Sequence, residues 1–163
     1  MNIVNVRIDE RLIHGQVAAV WTNYLSANRI MVIDKDASEN SLTKSLLKMA
    51  VPKGVSLSIL SPSRAVQRLQ DSEAYKGENL FIVIKGPKTI KELCDLGYKF
   101  NSVNVGNISK KNGSIQVKQS VSLTEEEYFV FKDLINLGIN FYTQMVPSDE
   151  KEDFLPYLNK ANY

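Results

Sequence analysis

His14 is the only histidine among 163 residues, and the side chains around it are of the kinds that handle anions. Arg7, Asp9, Glu10 and Arg11 stand just before it and Gly15 just after. Upstream, the apolar run Ile3 to Val6 reads as a strand; downstream, Val17 to Leu25 is periodic like a helix. A histidine in such a strand-to-helix loop has a particular electrostatic setting. The start of a helix presents unpaired N–H groups and partial positive charge. With arginines nearby, this disfavours imidazolium and leaves one ring nitrogen free to attack. Once the ring carries a phosphoryl group, the same N–H groups and arginines stabilise the added charge. Phosphoryl transfer is mainly positioning and charge stabilisation, so the stretch is suited to carry it on His14. Gly15, lacking a Cβ, would let a partner or phosphate approach closely. Two plainer readings stay open from the residues alone. The histidine could be a surface or satisfied core residue, and the four charged residues could form a solvated ion-pair network.

Other chemistry is less well supported. The chain contains no GxGxxG, no GxxxxGK[ST] and no GxSxG, so nucleotide cradles and a nucleophile elbow have no footing. One histidine and one cysteine speak against a zinc site, and no metal or cofactor is expected. Asp34 and Asp36 flank Lys35 and could bind Mg²⁺ or act as acid and base; alternatively they pair with Arg7 or Arg11. Trp21 reads as core or interface.

The elements that must position this loop follow from periodicity. Strands are expected at Ile3 to Val6, Ile30 to Ile33, Val55 to Leu60, Leu80 to Ile84, Val103 to Val105 and Phe141 to Met145, with a polar hairpin or edge pair over Ser114 to Val121. Between them lie helical patterns. One face groups Val17, Val20, Trp21, Tyr24 and Leu25, and another groups Leu42, Leu46, Leu47 and Ala50. Ser61-Pro62 and Gly86-Pro87 open two more helices. Thr124 with Glu127 makes a capping-box signature for a helix that turns Tyr128, Phe131, Leu134 and Ile135 inward. A last short helix follows Pro147 and Ser148. The alternation implies a single α/β domain spanning 1–163: an open, mainly parallel sheet with helices on both faces. Right-handed crossovers would gather the loops Arg7 to Gly15, Asp34 to Ser38, Lys85 to Lys88 and Gly106 to Ser109 at one edge, where ligands bind in such folds.

Composition narrows the class. Hydrophobic residues make up 44% and charged residues 23%, ordinary for a globular protein. A net charge of +2, from 20 basic and 18 acidic side chains, is too mild to imply nucleic-acid binding. Cys94 is alone and is expected to be a small apolar residue in a helix. No stretch approaches the roughly 18 apolar residues of a membrane span, and no signal core opens the chain, so a cytoplasmic protein is expected.

The run RIDERLIHGQV, Arg7 to Val17, closely resembles the RIDDRLIHGQV signature of the IIB subunits of mannose/fructose/sorbose-type sugar phosphotransferase systems. The similarity continues through Trp21, RIMVID (Arg29 to Asp34), Lys44, Ala50-x-Pro52-x-Gly54, VNVGN (Val103 to Asn107), VSLT (Val121 to Thr124) and QMVP (Gln144 to Pro147). It implies a cytoplasmic protein-Nπ-phosphohistidine–sugar phosphotransferase associated with the periphery of a membrane transporter. Such a subunit takes a phosphoryl group from a phosphorylated IIA protein, holds it on the Nδ1 of His14, and passes it to a sugar delivered by membrane-embedded IIC and IID subunits. Arg11 and Arg7 are then the phosphate-stabilising groups, and Asp9 orients them or the loop. A homo-oligomer is compatible with this reading. The chain departs from the pattern at Glu10, at Lys35 between the two aspartates, and at Asn107 and Ser109 on the expected active edge. Two alternatives belong to other classes: a non-catalytic regulatory or binding module of the same fold, and an enzyme of phosphorylated small molecules with His14 as base.

Overall fold

The computed structural model describes all 163 residues. In chain order they form β1 (Asn2–Asp9), α1 (Gly15–Leu25), β2 (Arg29–Ile33), α2 (Lys35–Glu39), α3 (Ser41–Ala50), β3 (Ser56–Leu60), α4 (Pro62–Gln70), β4 (Asn79–Ile84) and α5 (Pro87–Asp95). There follow β5 (Ser102–Asn107), β6 (Ile115–Lys118), β7 (Val121–Leu123), α6 (Glu125–Asn136), β8 (Asn140–Thr143), β9 (Glu152–Asp153) and α7 (Leu155–Asn159). Seven strands join one sheet in the order β3-β2-β4-β1-β5-β8-β9. All its pairings are parallel except that of the two-residue edge strand β9 with β8. Strands β6 and β7 form a separate hairpin, tied to the chain leaving β5 by Ile108 N–H to the Ser120 carbonyl and Ser122 N–H to the Ile108 carbonyl.

Alternation along the strands sorts the core into two layers. Val6, Ile8, Leu80, Ile82, Ile84, Val103 and Val105 pack with Val66 and Leu69 of α4, Leu93 of α5 and Phe131 and Leu134 of α6. The intervening positions Ile30, Val32, Phe81 and Val83 pack with Ala18 and Trp21 of α1, Ala37 of α2 and Leu47 of α3. Strands covered on both faces should be apolar throughout, and β2 and β4 are so beyond their first residues, Arg29 and Asn79. Strand β1 is not: Arg7 and Asp9 take the places where its second face should be apolar, and both are only 1% exposed.

Several expectations are corrected here. Strand β1 runs on to Asp9, so Arg7 and Asp9 are strand residues rather than loop residues. The segment after β2 is the short helix α2, nucleated by Asp34 as its N-cap. The final helix begins at Leu155, later than its proline-serine signal suggested. On α1 the buried residues are Ala18, Trp21 and Thr22, whereas Val20 and Tyr24 are 46% and 62% exposed. Trp21 sets this face, because its indole N–H donates to the Met145 carbonyl at 3.1 Å, and small residues flank it where the helix meets the sheet. On α3, Leu47 alone is buried while Leu42 and Leu46 face outward. No helix is long and apolar enough to cross a membrane.

Helix α6 starts as its sequence requires. Thr124 Oγ1 accepts from the Glu127 N–H, and Glu127 Oε2 accepts from the Thr124 N–H at 2.9 Å. Thr124→Ala should lower the unfolding free energy by about 1–2 kcal/mol in urea titrations. An unchanged midpoint would show that the cap contributes nothing to the fold.

Candidate active site

Strand β1 lies between β4 and β5, and the helices that follow β1 and β5 pack on opposite faces of the sheet. The carboxyl ends of β1 and β5 therefore frame a topological switch point, where a crevice opens. The loop carrying His14 leaves β1 at this point. Its conformation is set by four consecutive residues, Leu12-Ile13-His14-Gly15. Leu12 has φ +62° and Gly15 φ +37°, both left-handed. For leucine that geometry costs about 1–2 kcal/mol. Burial of its side chain and that of Ile13 in the α1 core layer offsets the cost. Gly15 needs no such support, and a Cβ there would meet nothing within 4 Å, so its requirement is conformational.

Between these two anchors His14 is exposed, as the N-cap of α1 (φ −130°, ψ 103°). Its side chain makes no capping hydrogen bond. The ring is thus held at the positive end of an eleven-residue helix, beside first-turn N–H groups that lack intrahelical partners.

Next to it, Asp9 organises the two arginines. Its Oδ1 accepts from the Arg11 backbone N–H at 3.1 Å and from Arg11 Nε at 3.0 Å, and its Oδ2 accepts from Arg11 Nη2 at 3.1 Å. This two-pronged carboxylate–guanidinium pair leaves Arg11 Nη1 unengaged on a side chain that is 34% exposed. On the other side Arg7 Nη2 lies 3.5 Å from Asp9 Oδ2. Arg7 is otherwise spent inside the protein. Its Nη1 donates to the Gln144 carbonyl at 3.0 Å, its Cζ sits 5.5 Å from the Trp21 ring centroid, and its Nε has no partner. Burial draws the pKa of Arg7 below its ordinary value; Asp9 opposes the shift and Arg11 adds to it. Arg7 and Asp9 are buried and line one small crevice with His14, Arg11 is one-third exposed, and the three are paired rather than a solvated network. Two guanidiniums against one carboxylate leave an excess of positive charge beside the histidine.

Glu10 points the other way and ties the loop to the far side of the crevice. Its N–H donates to the Asn107 carbonyl, its Oε2 accepts from the Ser109 N–H at 2.6 Å, and Lys111 Nζ lies 3.4 Å from its Oε1 and 3.0 Å from Glu127 Oε1. Asn107 and Ser109 thus act through the backbone. Asp34 and Asp36 do not join the cluster. The Asp34 carboxylate accepts from the Ala37 N–H at 2.9 Å, neither aspartate pairs with Arg7 or Arg11, and no group of acidic, histidine or cysteine side chains is arranged to hold a metal ion. Sequence reasoning missed Asn104 and the backbone of Gln144. Asn104 Nδ2 and Oδ1 bond the Gln144 carbonyl and N–H, both at 3.0 Å, and fix the carbonyl that Arg7 grips. The available signal was polar Asn104 alternating with valines in an otherwise apolar strand. A separate concavity, around Asn5, Tyr98 and Tyr142, lies toward the amino end of β1 and β5, away from His14.

Comparison with known proteins gives a consistent set of matches. Residues 3–163 match the family described as PTS system sorbose subfamily IIB component. The chain is 34% identical over 161 residues to the fructose-specific EIIB component of Bacillus subtilis, covering 99% of this chain and 98% of that protein. It is 32% identical over 156 residues to the mannose-specific EIIAB component of Escherichia coli, covering 96% of this chain but 48% of that longer protein. Among solved structures, the IIBSor domain of the sorbose permease from Klebsiella pneumoniae superposes with a TM-score of 0.90 at 29% identity, with 98% of each chain covered.

The anchoring of Glu10 has a measurable consequence. Burial alone would raise its pKa, but the Ser109 N–H and Lys111 outweigh it, and the carboxyl titrates below its ordinary range. A depressed folded-state value means the stabilisation is present above the unfolded-state pKa and is lost as pH falls through the folded one. Glu10→Gln should therefore melt below the native chain near neutral pH, and the gap should close as pH drops through and below the carboxylate range. A gap independent of pH would remove the charge from the account.

Proposed function

Because the chain belongs to the sorbose subfamily of PTS IIB components, phosphotransferases of sugar uptake, we propose that His14 is its phosphoryl-carrying residue. The observation that carries this reading is the geometry of the ring. It is the single histidine, exposed at the N-terminus of α1, with no internal hydrogen bond to compete for its nitrogens and a fixed arginine cluster beside it. A phosphorylated IIA protein presents its phosphohistidine to the crevice; a nitrogen of His14 attacks phosphorus in line, and the bond to the donor imidazole breaks. Support for that donor comes from the mannose-specific relative of Escherichia coli, an EIIAB component.

On His14 the added oxygens meet the first-turn N–H groups of α1 and the free Nη1 of Arg11. Both are in place before transfer, so little reorganisation accompanies the change in charge. In the second step a sugar hydroxyl, delivered by membrane IIC and IID subunits, attacks phosphorus and the imidazole leaves. In the net exchange the ring nitrogen recovers the hydroxyl proton. No metal or nucleotide enters either step. An exposed ring suits this cycle, because one side chain must meet a protein donor and then a membrane-bound acceptor. The chain works as one domain at the cytoplasmic face of the transporter. Relatives named for fructose, sorbose, mannose and N-acetylgalactosamine match nearly all of this chain, so the family reading fits a phosphoryl carrier for any of these sugars.

Incubation with a labelled phospho-IIA protein should give an acid-labile, base-stable label on the native chain and none on His14→Ala. Labelling of the variant at the native level would sink the assignment. Arg11→Ala should remain folded and slow the transfer by about 1.5–3 kcal/mol, the worth of a charge-assisted hydrogen bond. Unaltered single-turnover rates would exclude Arg11 from the phosphoryl site.

A further inference from the structure

Glycine at position 106 is not demanded by the backbone. Of the chain's glycines, those with a left-handed φ are Gly15, Gly54, Gly77, Gly97, Gly113 and Gly138, and Gly106 is not among them. What is special is the space its missing side chain leaves. A Cβ built on Gly106 would stand 2.7 Å from Arg7 Nε and closer still to Cζ and Nη2. The guanidinium lies against the bare backbone of β5, with the Trp21 ring on another side. No other glycine has a heavy atom so near.

The strand register marks the same place. Arg7 pairs with Asn104 and Ile8 with Val105, but Asp9 pairs with Asn107, so one extra residue is inserted in β5 and that residue is Gly106. A bulge of this kind bends its strand and re-aims neighbouring groups, and such bulges recur beside active sites. Here it brings the Asn107 carbonyl to the Glu10 N–H and opens the slot that Arg7 fills.

We propose that Gly106 is a positioning residue of the phosphoryl site, acting only through Arg7: the bulge and the absent Cβ seat the guanidinium, which holds Asp9, which in turn holds Arg11 beside His14. Arg7 is on this account also a positioning residue rather than a phosphate contact. It is 1% exposed, its Nη1 is committed to the Gln144 carbonyl, its Nη2 lies 3.5 Å from Asp9 Oδ2 and 3.7 Å from the Met145 sulfur, and its Cζ lies over Gly106. The reaching is left to Arg11, the exposed member of the trio. The role assigned to Arg11 rests on the phosphoryl-carrier reading; the seating of Arg7 by Gly106 does not.

Trp21 makes the seating observable without any activity. It is the chain's single tryptophan, and the guanidinium is packed near its ring. Displacement of that cation changes the surroundings of the indole. Gly106→Ala should therefore move the Trp21 emission toward that of Arg7→Ala. It should also slow His14 phosphorylation by about 10- to 100-fold, the cost of a misplaced group. The loss should fall on the rate at saturating phospho-IIA and leave its half-saturation unchanged, since neither residue reaches the surface. In the Arg7→Ala background the same glycine substitution should have no further effect, because the two act in series. If Gly106→Ala does not fold, Arg7→Ala should restore folding by vacating the slot. Native-like Trp21 emission in Gly106→Ala, an equal loss of rate in both backgrounds, or a double variant that stays unfolded would each overturn the proposal. A native chain that accepts no label would instead count against His14 as carrier and leave the fluorescence result to stand alone.

Discussion

A fully charged guanidinium, all but sealed from water in the middle of a parallel sheet, is the constraint around which the active edge is built. Moving such an ion out of water costs several kcal/mol unless partners replace the solvent. Arg7 finds three, Asp9 on its own strand, the Gln144 carbonyl beyond β8 and the Trp21 ring on α1, while Gly106 on β5 leaves it room. Each partner is itself held. Asn104 grips both backbone groups of Gln144, and the Trp21 indole bonds the Met145 carbonyl. The segment Gln144-Met145 is thereby stitched to the sheet and to α1, although it belongs to no strand or helix. Replacing Arg7 by the valine or isoleucine usual at such a position would remove the reason for all of these contacts.

The loop after β1 translates that rigidity to the surface. Asp9 is locked from below by Arg7 and locks Arg11 above; Glu10, its neighbour, is locked sideways to the β5–β6 connection. Leu12 and Ile13 then plug the loop into the α1 core layer and leave His14 exposed at the helix start. A phosphoryl way-station needs this combination. The ring must be reachable by two large partners in turn, so it cannot be buried in a cavity, yet its surroundings must not reorganise at each transfer. Rigidity is supplied from beneath and access from above.

Much of this was legible in residue order. The strand–helix alternation, the capping box at Thr124, the β6–β7 hairpin and the placement of His14 between strand and helix all follow from local patterns, and the structure agrees with them. The departures from those patterns have separate causes. Helical spacing groups Val20 and Tyr24 with Trp21, but the buried face of α1 is chosen by what Trp21 reaches across the sheet. On α3, Leu47 takes the core position and leaves Leu42 and Leu46 outside. Asp34 was weighed as an acid, a metal ligand or an ion-pair partner, whereas it caps a five-residue helix that has too little apolar periodicity to announce itself.

The two arginines of the motif show the division most clearly. Their types and spacing, with His14, Asp9 and Gly15, suit a group that accepts phosphate beside a helix start, and the resemblance of the whole motif points to the family. Whether a given arginine faces solvent or the interior is not written in those eleven residues. Arg7 and Arg11 are chemically identical and four positions apart, and they end 1% and 34% exposed. That outcome depends on residues more than a hundred positions away, Gln144 and Met145, and on one inserted glycine in a neighbouring strand. Local order determines which chemistry is possible, since it fixes the functional groups and the helix end they share. Long-range packing decides which group touches the reaction and which one holds the others in place, because only it sets what is removed from water.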